Sequence, residues 1–151
     1  MEEEHLRTNQ KSKKIKELHW KTQQWKTHFQ SIEDELILAE RLLDSQIFRP
    51  KTRNLFERIQ EYKIRIEKIK NTKEKLRSDI SIQENNLGSM LDCTDNECEL
   101  SFYRYHDKLQ TKVDSYFENF QKLKLEILNY TGEIIKQTYR CHFQFTAFTI
   151  N

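Results

Sequence analysis

LFERIQEYKIRIEKIKNTKEKL, residues 55–76, sets the reading of the whole chain. Leu55, Ile59, Tyr62, Ile66, Ile69, Lys73 and Leu76 follow one another at alternating steps of four and three. An α-helix turns once in about 3.6 residues, so that spacing lines one face. Period two, which would mark a strand, is absent here. The stripe runs on through Ile80, Gln83, Leu87 and Met90. A solitary helix cannot bury such a stripe, which calls for packed neighbours.

Two further segments supply them. Ile15, Leu18, Thr22, Trp25, Phe29, Ile32, Leu36, Ala39 and Leu43 form one seam; Phe102, His106, Leu109, Val113, Tyr116, Phe120, Leu123, Ile127, Tyr130 and Ile134 form the other. Pro50 closes the first helix, since it has no amide proton and forces Arg49 out of helical geometry. Asn54 with Glu57 resembles a capping box, Gly88 a left-handed cap, and Thr94 with Glu97 a second box. Asp95 adds negative charge at the start of the last helix. The spacing predicts helices over 13–48, 54–87 and 95–139 with short connections and therefore antiparallel neighbours. The expected fold is all-α: an elongated, coiled-coil-like antiparallel three-helix bundle of roughly 50 Å. Its domain is 13–139, after a flexible N-terminal arm over 1–12 and before an extended or disordered, non-helical aromatic tail over 140–151.

Composition agrees. The 151 residues include two glycines, one proline, 33% charged and 36% hydrophobic residues, a balance suited to slender helices with one buried stripe each. The net charge of +2 favours neither nucleic acid nor membrane globally. MEEEHLRTNQKSKK at the start lacks the apolar core of a signal peptide, and no run approaches a membrane span. Three cysteines are odd in number and too few for a disulfide framework, so a reducing cytoplasm is the expected location.

Two features resist this pattern. Trp20 and Trp25 are separated by about 500° of helical rotation and point roughly 140° apart. Trp25 falls on the seam. Trp20 falls among Lys16, Gln23, Gln24 and Thr27, on the side facing solvent or a partner. In the tail, Cys141, Phe143, Phe145 and Ala147 alternate with polar residues, which predicts extended chain. Trp20, Phe143, Phe145 and Phe148 are therefore the candidate partner contacts.

Catalytic apparatus is not visible. A structural zinc site needs two ligand pairs, and only Cys93 and Cys98 in CTDNEC are paired, with His106 nearby. That hexapeptide is read as a turn and cap, not as a metal site or regulatory disulfide. The five histidines are scattered, and His106 on the seam reads as a core residue with one hydrogen bond. No glycine-rich phosphate loop or nucleophile motif occurs. No catalytic, cofactor or metal residue is assigned, and no small-molecule substrate is evident.

Between Arg49 and Arg77 stand 11 basic and 4 acidic residues, a local charge of +7 that leaves −5 elsewhere. Lys63, Lys70 and Arg77 form one column beside the seam; Lys51, Arg58 and Arg65 form another. Glu33, Glu35 and Glu40 on the first helix, with Asp114, Glu118 and Glu126 on the third, are the expected internal partners. Lys73, on the seam itself, is read as a register or snorkelling residue. Ile37, Leu38, Leu125, Leu128 and Ile135 lie off the seams and widen the apolar faces of two helices. The expected function is a non-enzymatic adaptor, regulatory or structural module acting through protein contact with a partner or with itself. The alternative is nucleic-acid association through the basic half of helix 2.

Overall fold

Three helices with one water-averse stripe each can lower their free energy by closing those stripes on one another. In the computed structural model, which describes residues 1–48 and 52–150 apart from the side chains of Tyr139 and residues 141–150, they do so. Helix α1 spans Glu2–Leu43, α2 Arg53–Leu87 and α3 Asn96–Ile150, with 3₁₀ turns at Gln46–Phe48 and Gly88–Asp92. No strand occurs among the described residues. The fold is an all-α three-helix bundle. Lys11 reaching Glu99, Phe29 meeting Tyr116, and Glu35 meeting Lys124 show α1 and α3 running the same way. Arg65–Glu126 and Arg58–Tyr130 show α2 running against α3.

Several boundaries differ from the sequence reading. Helix α1 begins at Glu2, where a flexible arm was expected. Three glutamates in its first turn complement the positive end of the helix, and Lys11 is tied down by the carbonyl of Cys93 and by Glu99 at 3.2 Å. Helix α3 continues to Ile150 instead of giving way to extended chain near 139. A helix satisfies its backbone groups within the segment, whereas a single strand has no ladder to join here. The side chains of Phe143, Phe145 and Phe148 lie outside the described residues, as does Lys51.

The caps shift by one or two positions. Thr52, not Asn54, caps α2, its Oγ1 accepting the Leu55 amide at 3.3 Å. Asp95, not Thr94, caps α3, its Oδ1 accepting the Cys98 amide at 2.8 Å. Gly88 is not a left-handed cap. Leu87 keeps right-handed helical angles of −58° and −37°, and the chain tightens directly into the 3₁₀ turn.

Two compact units are each built from a piece of every helix. The first comprises Met1–Ile32 and Lys70–Phe117. Leu18, Trp25, Phe29, Leu76, Ile80, Leu109 and Val113 fill its core, with Thr22, Gln83 and His106 as a buried polar layer. The second comprises Glu33–Ile69 and Glu118–Asn151, and packs Leu36, Leu43, Phe48, Ile59, Tyr62, Ile66, Phe120 and Ile127. Each such side chain contributes about 1.5–3 kcal/mol on burial.

Candidate functional site

Every seam residue named from the spacing is buried or half-buried, so the remaining surfaces are those the seams do not use. In the second unit, a groove of about 230 Å³ lies between α1 and α3, lined by Glu35, Leu38, Ala39, Leu42, Lys124, Ile127 and Leu128. Its walls come from helix geometry. Leu38 and Leu42 stand one turn apart on α1, and Lys124 and Leu128 one turn apart on α3. Leu38 is 62% exposed and Leu128 49%. Leu125 and Ile135 extend the exposed aliphatic face along α3. At the groove, Lys124 Nζ donates to Glu35 Oε1 at 3.0 Å. Glu35, expected to face the basic columns of α2, is paired with α3 instead.

The first unit holds a buried polar cluster. His106 lies face to face with Trp25, ring centroids 5.0 Å apart and planes inclined by 16°. The Gln83 amide nitrogen stands 2.7 Å from His106 Nδ1 and donates weakly to the Thr22 hydroxyl at 3.4 Å. Thr22 in turn donates to the Leu18 carbonyl at 2.8 Å. With Nδ1 accepting, the ring is neutral and carries its proton on Nε2, which finds no partner among the described residues. Burial, then the Lys21 charge, lowers the His106 pKa below the ordinary imidazole value, against a smaller opposing effect of Asp107.

The basic residues of α2 meet mixed fates. Arg65 forks onto Glu126, its Nη2 at 3.2 Å from Oε1, and that hydrogen bond holds the Glu126 carboxyl below the usual carboxylate range. Lys63 donates to Asp44 at 2.6 Å. Arg58 and Arg77 pair with Glu61 and Glu74 of their own helix, at 3.9 and 4.0 Å, and stay about half exposed; Arg58 also overlies the Tyr130 ring. Lys70 is half-buried and Lys73 buried. Among the described residues, the two columns therefore do not form one continuous free basic face.

The turn before α3 departs from expectation: Cys93 and Cys98 are joined by a disulfide. The 3₁₀ turn and the Asp95 cap fold the chain back so that their Cα atoms stand 5.5 Å apart, within the span a disulfide bridges. Sequence reasoning missed this because the bond needs the turn geometry, not the count of cysteines. No group of His, Cys, Asp or Glu able to hold a metal occurs among the described residues. Trp25 is buried and Trp20 is 62% exposed, as their angular separation predicted. The sequence brought Leu38, Leu125, Leu128 and Ile135 to notice as off-seam residues, but it held no signal that Leu42 and Ala39 would share a groove with Lys124. No helix among the described residues is long and apolar enough to cross a membrane. No family model, curated protein or solved structure matches the chain.

Proposed function

We propose that the chain is a non-enzymatic, self-associating contact module; its lack of a membrane-spanning helix among the described residues favours the cytoplasm expected from the sequence, and the Cys93–Cys98 bridge counts against that location. One observation carries this reading: large aliphatic side chains remain exposed around the α1–α3 groove although the three seams are already closed. An apolar face left over after a core is complete is the usual mark of a protein contact. Trp20, on the first unit, is a second such residue, because an indole on a solvated helix face gains most when a partner covers it.

Nucleic-acid association is the alternative. Half-exposed Arg58 and Arg77 favour it, while the engagement of Lys63 and Arg65 with Asp44 and Glu126 counts against it. Sedimentation over a wide concentration range, at low and high salt, separates the readings. A contact module gains mass with concentration at both salts, since apolar burial is insensitive to screening. Binding to a generic duplex at low salt that vanishes steeply as salt rises, with no gain of mass in the protein alone, would establish the alternative.

A further inference from the structure

We propose that the α1–α3 groove of the second unit receives the same groove of a second copy of this chain, about a two-fold axis parallel to the helices. The inference rests on the contact-module reading and commits it to a surface, a partner and a geometry. A self-complementary patch is what a two-fold dimer requires, since each copy presents the same residues.

Charge selects the geometry. Glu35 on α1 and Lys124 on α3 sit at the same height, 3.0 Å apart, at the groove. Because α1 and α3 run in the same direction, an axis parallel to them lays α1 of one copy over α3 of the other without changing height. Glu35 then faces the second copy's Lys124, and Lys124 its Glu35, so each charge gains another opposite neighbour. An axis across the helices would instead set α1 on α1 and α3 on α3, bringing like charges together. Both residues are about one-third exposed, so neither is too deeply buried to reach a second chain.

The apolar residues fit the same axis. Leu38 lies three residues beyond Glu35, and Leu128 four beyond Lys124, so the two stand about one turn further along at matching heights. Rotation places Leu38 of each copy over Leu128 of the other and removes both from water. Leu125 and Ile135 continue the face along α3. Gly132 lies between them; a Cβ there would meet nothing within 4 Å among the described residues, leaving room for a neighbouring backbone.

Charge reversal in separate chains tests the geometry. Glu35→Lys and Lys124→Glu each create like charges at the groove, and each variant alone should associate at least about fivefold more weakly than the wild type. Mixed in equal amounts, the two should recover wild-type association as a heterodimer, seen by native mass spectrometry, because every cross-chain pair is again opposite in sign. Leu38→Glu and Leu128→Glu should each weaken association about tenfold or more. Circular dichroism confirms that each variant is folded, and Leu38→Ala replaces Leu38→Glu in the comparison if the latter is not. If the wild type gains mass but these substitutions leave it unchanged, or the mixture fails to recover, this surface and axis are wrong while the contact reading stands. A wild type that remains monomeric to about millimolar concentration overturns both.

Discussion

Trp20 and Trp25 show how much five residues of helix can change the fate of one side chain. Trp25 packs against His106 in the first unit, and Trp20 stands in solvent. Trp25→Ala should therefore cost about 3–5 kcal/mol in a urea titration of the dilute protein, whereas Trp20→Ala should change it by no more than about 0.5 kcal/mol. Equal effects would mean that the seam is misplaced. His106 adds a pH dependence whose sign follows from its lowered pKa. Above about 6.5, the ordinary histidine value, both folded and unfolded rings are neutral and the stability is intact. As pH falls through 6.5 toward the lower folded value, the unfolded chain binds the proton first and stability is lost. Protonation would also set an Nδ1–H against the Gln83 amide nitrogen, which must then turn over. A His106→Gln variant should have a flatter melting-temperature profile between pH 7 and 5 than the wild type; identical profiles would remove His106 as the source.

At the scale of elements, the ends of helices were harder to read than their middles. The expected caps at Asn54 and Thr94 moved to Thr52 and Asp95, because several oxygen-bearing residues stand together and only the path of the chain selects one. Asp95→Ala should cost about 1 kcal/mol through the lost cap, measured by thermal melting. The Cys93–Cys98 bridge closes only a short loop, so the Cys93→Ser/Cys98→Ser double variant should keep its helical content and lose no more than about 2 kcal/mol. Loss of the helical spectrum would show that the turn depends on the bridge. Within α3, Gly132 is a poor helix former that no neighbour among the described residues requires. Gly132→Ala should stabilise the dilute protein by about 0.5–1 kcal/mol, a gain read directly from the urea midpoint.

Across the whole molecule, apolar burial outweighs charge. The ion pairs Lys63–Asp44, Arg65–Glu126 and Lys124–Glu35 all have at least one partner a third or more exposed, a setting in which each contributes about 1 kcal/mol or less. Raising salt from about 0.05 to 1 M should therefore shift the melting temperature of the dilute protein by only a few degrees. The sequence by itself determined the helix class, the three seams and the separate fates of the two tryptophans. Those depend on rotation per residue along one segment, which is a local property of the backbone. Only the tertiary structure decided that Glu35 joins Lys124 and not α2, that Cys93 meets Cys98, and that Leu38, Leu42 and Leu128 border one groove. Such pairings depend on which flanks of distant segments face each other, and a repeat along one helix carries no record of its neighbour's rotation.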